Sequence, residues 1–170
     1  MPNPSYRSEY PKKSLGQHFL INKGVLNKII DAADIQTTDT IVEIGPGTGL
    51  LTELILSKCD NVVLVELDNN LVNDLRQKFQ GYSNLRIIHA DARTWTSDLE
   101  DRSYKVIGNL PYYAANPIMR NLLENNKPPS HMYLTLQKEV ADSIVAVKGK
   151  MRILSVAVQA YGKPRILGQI

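Results

Sequence analysis

Asn109-Leu110-Pro111-Tyr112 closes the apolar run Val106-Ile107 and supplies what chemistry on an exocyclic amine needs. The Asn109 side-chain oxygen and a neighbouring main-chain carbonyl can accept both hydrogens of an –NH2 group, and Tyr112 can stack on the base that carries it. Pro111 fixes its own φ and restricts Leu110 to extended conformations, so these acceptors point in set directions. Alone, such a tetrapeptide is more often a strand end running into a turn. Three upstream groups change that reading. Gly45-Pro46-Gly47-Thr48-Gly49 directly follows an apolar segment and can bring backbone close to a ligand. Glu66 stands about 20 residues past the first glycine, where an acid can bind ribose hydroxyls. Asp91, followed by Ala92, can accept from an adenine amine. The glycine-rich turn could serve a dinucleotide or be only a tight turn. Pro46, which has no N–H to offer a pyrophosphate, favours S-adenosylmethionine, a nucleoside cofactor without phosphate.

These groups need a scaffold that brings them to one place. Apolar runs predict strands near 40–44, 61–66, 85–88, 104–109 and 132–136, with a final strand at Arg165–Gln169. Helical periodicity predicts helices near 49–57, 69–79, 115–125 and 139–147, and 153–160 is read as helix despite its valines. An earlier helix, Lys23–Ala33, has Asn22 as N-cap and Val25, Leu26, Ile29, Ile30 and Ala33 as its buried face. Pro117 is expected in the first turn of its helix. Strands alternating with helices imply an α/β fold, a mostly parallel sheet covered on both faces. Ligands of such sheets bind beyond the strand C-termini, where Gly45–Gly49, Glu66, Asp91 and Asn109 all fall.

Composition fits one domain over 1–170, long enough to bury a full core. No apolar run approaches the ~20 residues of a membrane span and the start is polar, so a cytoplasmic protein without membrane contact is expected. Cys59 is the one cysteine, which excludes an internal disulfide and any cysteine-based zinc site, and the three histidines lack ligand spacing. No metal is expected. Residues 1–100 hold ten Lys/Arg against thirteen Asp/Glu, whereas 101–170 hold ten against four. The second half therefore suits an anionic partner, with Lys148, Lys150 and Arg152 around Gly149 as a candidate phosphate-contact loop.

The chain resembles the ribosomal RNA adenine dimethyltransferases of the KsgA type. The resemblance rests on Lys13-Ser14-Leu15-Gly16-Gln17-His18-Phe19-Leu20, Glu43 to Gly49, Asn109 to Tyr112, and Gln137-Lys138-Glu139-Val140-Ala141-Asp142, in that order. It implies a Rossmann-like methyltransferase fold with S-adenosyl-L-methionine as cofactor. Cofactor-binding residues would be His18, Leu20, Gly45, Gly47, Glu66, Asp91 and Asn109. The candidate catalytic set is Asn109, Leu110, Pro111 and Tyr112, with the target base packed on Tyr112. The implied reaction is N6,N6-dimethylation of two adjacent adenines near the 3′ end of small-subunit rRNA, on an assembling 30S-type subunit, by a monomer. Ser143 stands where the family usually has arginine, and the 147–152 loop looks shortened. Relative to the family pattern, a Phe-x-Pro-x-Pro-Lys-Val segment, a last strand and a small helical RNA-binding domain do not follow Ile170. The resemblance thus leads to the expectation that this chain is weakly active or inactive. Two other readings stay open: a large-subunit adenine methyltransferase of the macrolide-resistance type, and a non-catalytic RNA-binding assembly factor.

Overall fold

The computed structural model describes residues 22–99 and 103–169. Five parallel strands form one sheet in the order β3-β2-β1-β4-β5. They are β1 (Thr40–Ile44), β2 (Asn61–Glu66), β3 (Leu85–His89), β4 (Lys105–Asn109) and β5 (His131–Thr135). Among the described residues six helices accompany them: α1 (Lys23–Ala33), α2 (Leu50–Leu56), α3 (Asn69–Lys78), α4 (Tyr112–Glu124), α5 (Lys138–Ile144) and α6 (Ile153–Tyr161).

Every residue of β1 is buried, the signature of a central strand covered on both faces. Successive side chains go to opposite faces, and the core divides accordingly. Ile41, Val62, Leu64 and Ile107 pack with Leu26, Ile30, Leu51, Ile55 and Leu75 of α1, α2 and α3. Val42, Val63, Val65 and Val106 pack with Ile118, Met119, Leu122, Val140, Ile144 and Val158 of α4, α5 and α6. The register aligns Ile44 with Val65 and Gly108, and Asn109 with Thr135, so the C-terminal ends of the four central and edge strands meet at one rim of the sheet.

Local chemistry explains where the helices start. The Asn22 side chain accepts from the Gly24 and Val25 N–H groups, the expected N-cap of α1. Asp68 caps α3 through the Asn70 N–H. Lys105 anchors the other end of α1, donating to the Ala33 and Asp34 carbonyls and to Asp39 at 2.7 Å.

Four expectations need correction. Arg165–Gln169 is no strand: the segment is irregular and mostly exposed, and no described strand lies beside it to form a ladder. Helix α4 begins at Tyr112, directly after Pro111, so Pro117 lies in its second turn and withholds an N–H from the Tyr113 carbonyl. Helix α5 ends at Ile144 and does not reach Val147. Its last carbonyls are taken by α6, with Ser155 Oγ donating to the Ser143 carbonyl and Gln159 Nε2 to those of Ile144 and Ala146. In α1, Val25 and Ile29 are only half-buried.

Candidate active site

The rim where the strands end is a cleft of about 530 Å³. The glycine loop crosses it first. Gly45, Gly47 and Gly49 all have positive φ, so β1 can turn at once into α2. Each glycine N–H is used inside the protein. Gly45 donates to the Val65 carbonyl at 3.0 Å, Gly47 to Glu66 Oε2 at 3.3 Å, and Gly49 to the Pro46 carbonyl at 2.9 Å. Lys78 braces the loop from behind, donating to the Thr48 carbonyl at 2.8 Å while pairing with Glu53 at 2.8 Å.

Glu66 ends β2 and is only 6% exposed, not outside the core as a strand-end residue would suggest. Its Oε1 accepts from the N–H groups of Leu67 and Asp68 at 2.8 and 2.9 Å. Together with Gly47 these occupy three of about four acceptor positions on the carboxylate, leaving one for a ligand hydroxyl. Burial pushes the Glu66 carboxyl up, against the pull of the three backbone N–H groups. Glu66 therefore both fastens the glycine loop to β2 and faces the cleft.

Glu43 had no role assigned from the sequence. It is 2% exposed, it also lines the cleft, and Thr52 Oγ1 donates to its Oε2 at 2.6 Å. Burial raises its carboxyl to about 7, with the Thr52 hydroxyl and Lys78 opposing and the Glu66 charge reinforcing. The signal was present: an acid inside an otherwise apolar strand, nine residues before a threonine on the following helix.

Asp91 follows β3 and is anchored through its main chain, which accepts from the Thr94 and Trp95 N–H groups. Asn121 of α4 secures the same turn by donating to the Ala92 and Trp95 carbonyls. The Asp91 carboxylate is gripped by Arg93, which holds it below the usual carboxylate range. Arg93 was another residue that the sequence reading passed over.

On the far side, Asn109 ends β4 and Leu110 is buried, its N–H donating to the Thr135 carbonyl at 3.3 Å. Pro111, at φ −67° and ψ 145°, is the N-cap of α4. Tyr112, the first residue of that helix, is 66% exposed and offers its ring to the cleft mouth. Thus Gly45, Gly47, Glu66, Asp91, Asn109, Leu110, Pro111 and Tyr112 all line one cleft. His18 and Leu20 lie outside the described residues. Lys148 and Lys150 are exposed in the α5–α6 connection and do not line the cleft.

The donor set restricts the ligand. The glycine N–H groups are spent, Pro46 has none, and Arg93 is the only cation among the described lining residues. A phosphate would find no free glycine N–H and a single cation. Three carboxylates and exposed aromatic surface instead suit a cationic, phosphate-free nucleoside, and the residues present fit S-adenosylmethionine. Among the described residues, no group of three or more His, Cys, Asp or Glu could hold a metal ion, and no helix is long and apolar enough to cross a membrane.

Known proteins resemble this chain in sequence and in fold. The family model for ribosomal RNA adenine dimethylase matches residues 9–168. A protein of Dehalococcoides mccartyi (strain CBDB1), named ribosomal RNA small subunit methyltransferase A, is 46% identical over 162 residues, covering 94% of this chain and 56% of that protein. The chain therefore spans about half the length of the curated relatives it matches. A crystal structure of a dimethyladenosine transferase from Plasmodium falciparum aligns with a TM-score of 0.73 at 28% identity, covering 84% of this chain and 52% of the other. The 23S rRNA methyltransferase ErmE aligns with a TM-score of 0.71 at 26% identity, covering 82% and 56%.

Proposed function

The chain belongs to the ribosomal RNA adenine dimethylase family, and from that premise we propose that it takes part in S-adenosylmethionine-dependent dimethylation of N6 on two adjacent adenines near the 3′ end of small-subunit rRNA. The observation that carries this reading is the convergence of Gly45–Gly49, Glu66, Asp91 and Asn109–Tyr112 on one cleft. Glu66 would accept from a ribose hydroxyl and Asp91 from the adenine amine of the cofactor. The buried acids Glu43 and Glu66 favour a cation. The cofactor, when bound, supplies an electrophilic methyl on a sulfonium.

The protein's task is to make a poor nucleophile react. The lone pair of an adenine amine is delocalised into its ring. Asn109 and a neighbouring main-chain carbonyl, by accepting from both N–H bonds, favour a pyramidal nitrogen with its lone pair available. The same acceptors stabilise the positive charge that develops on nitrogen. Tyr112 holds the base in place by stacking, which offsets part of the cost of taking it out of its own stack. Positioning two reactants together lowers the entropic barrier, and no strong general base is needed.

The substrate is assigned to the small subunit because the 46%-identical relative carries that name. The likeness to ErmE supports the second reading, a large-subunit adenine, at lower identity. In this proposal the protein works in the cytoplasm on the assembling subunit, as a monomer. The test is methyl incorporation from labelled cofactor into undermethylated small subunits, with large-subunit rRNA in parallel. In a version extended to the length of its relatives, incorporation into two adjacent small-subunit adenines is expected. Labelling of large-subunit RNA alone would reverse the assignment, and cofactor and RNA binding without transfer would leave an assembly factor.

A further inference from the structure

Two tyrosines stand side by side at the start of α4, and both line the cleft. The helix spends Ala114, Ala115, Ile118, Met119 and Leu122 on the core, which leaves Tyr112 and Tyr113 outside it, 66% and 49% exposed. Consecutive residues of a helix point about 100° apart, from Cα atoms about 3.8 Å from each other. Two such rings diverge and do not lie on opposite faces of one base. Tyr113 shares its side of α4 with Asn121, two turns on, and Asn121 binds the Ala92 and Trp95 carbonyls after β3. The Tyr113 phenol accordingly lies near the Arg93 guanidinium, which is half-exposed. The mouth of the cleft thus has two aromatic stations, Tyr112 and, toward β3, Tyr113 beside Arg93.

We propose that Tyr113 is the stacking site for the second nucleobase, the adenine adjacent to the one held at Tyr112. The proposal deepens the function reading above and rests on it, since that reading requires two neighbouring adenines. A cleft of about 530 Å³ is the size that holds one drug-sized ligand. The cofactor and a single base fill it, so the neighbouring base, tied to the first by one phosphodiester, stays at the mouth. An aromatic ring beside a guanidinium takes up such a base with little regard to its hydrogen-bonding edges. That tolerance suits a double modification. The waiting base is adenine in one round and N6,N6-dimethyladenine in the other. Stacking accepts both, whereas a hydrogen bond from the amine is lost once its hydrogens are replaced by methyl groups.

The other exposed tyrosines offer nothing equivalent. Tyr82 packs edge-on against Phe79 and Tyr161 ends α6, and neither lines the cleft. Removing the Tyr113 ring opens no cavity in the core, so substitutions there test binding and not stability.

The test uses a version extended to the length of its relatives and three hairpin RNAs. One carries the two adjacent adenines; in the others, one or the other adenine is replaced by an abasic nucleotide. The second-order rate of methyl transfer is measured on each, with S-adenosylhomocysteine affinity by calorimetry. For the unsubstituted protein, losing the neighbouring base in at least one of the two abasic RNAs should lower the rate by roughly fivefold or more. Tyr113→Ala should lose as much on the intact RNA, and no more than about a further twofold when that neighbour is also removed. Tyr113→Phe, which keeps the ring, should behave as the unsubstituted protein, and S-adenosylhomocysteine affinity should be the same in all three proteins. If Tyr113→Ala loses as much on the abasic RNAs as on the intact one, its role is structural and the proposal falls. It falls as well if Tyr113→Phe is as poor as Tyr113→Ala, or if S-adenosylhomocysteine affinity drops with the ring, which would give the ring to the cofactor. Equal use of all three RNAs by the unsubstituted protein would overturn the inference and leave the function reading standing. No transfer to any of them, with S-adenosylhomocysteine bound, would overturn the function reading and the inference with it.

Discussion

Glu43 is a carboxyl buried in the strand that feeds the glycine loop, and its titration couples the cleft to stability. It titrates near 4.5 when unburied and near 7 in the folded chain. The folded state therefore holds the proton more tightly, and the carboxyl's contribution is complete below pH 4.5 and lost as pH rises through 7. The loss amounts to about 3 kcal/mol by linkage. Glu43→Gln keeps an acceptor for Thr52 without titrating. Its unfolding free energy relative to the unsubstituted chain should rise by about that amount between about pH 5 and pH 8.5, as urea denaturation would show. A difference independent of pH would mean that the carboxyl is ionised throughout. Asn109 belongs to this scale as well. In a version extended to the length of its relatives, Asn109→Ala should slow single-turnover methyl transfer at saturating cofactor by more than tenfold, about 1.4 kcal/mol of transition-state stabilisation. Normal transfer would remove Asn109 from the mechanism. Asn109 could be found by reading the sequence because its neighbours, a proline and an aromatic, have plain local effects. Arg93 could not, since nothing in Asp91-Ala92-Arg93 says that the guanidinium folds back onto its own turn.

At the scale of elements, legibility followed the range of the forces involved. The strands β1 to β5 and the cap of α1 were visible because burial pattern and N-cap chemistry are local. The end of α5 was not, since it is decided by Ser155 and Gln159, 12 and 15 residues away from the carbonyls they bind. Arg165–Gln169 misled for a related reason: apolar composition expresses propensity, but a strand exists only where a neighbour completes its ladder. The β1–α2 turn offers the sharpest test at this scale. Gly49 has φ +78°, and a Cβ placed there would lie 2.8 Å from Phe79 Cε2 and 2.9 Å from Leu75 Cδ2. Gly49→Ala therefore combines a left-handed backbone penalty with overpacking against α3, together about 2–4 kcal/mol. Chemical denaturation should show that loss, and cofactor affinity should fall with it because the loop and Glu66 move as a unit. A loss below about 1 kcal/mol would show that Phe79 swings aside freely.

For the molecule as a whole, charge is distributed by task. Residues 1–100, which supply the glycine loop, Glu66 and Asp91, carry more acids than bases; 101–170 carry ten Lys/Arg against four Asp/Glu. Several of those later cations are committed within the fold: Lys105 to Asp39, Arg120 to Glu124 and Lys138 to Asp142. Lys148 and Lys150 are exposed, form no ion pair with the described residues, and flank Gly149, whose φ is +91°. They are free to neutralise phosphate without disturbing the cleft, which they do not line. Each phosphate contact to single-stranded RNA contributes about 0.7 to the slope of log affinity against log salt. The double substitution Lys148→Gln with Lys150→Gln should therefore flatten that slope for small-subunit rRNA by about 1.4 and weaken binding most at low salt. Cofactor affinity should not change, which separates an RNA contact from general damage. An unaltered slope would place the phosphate contacts on other cations and reduce this loop to a solvated turn.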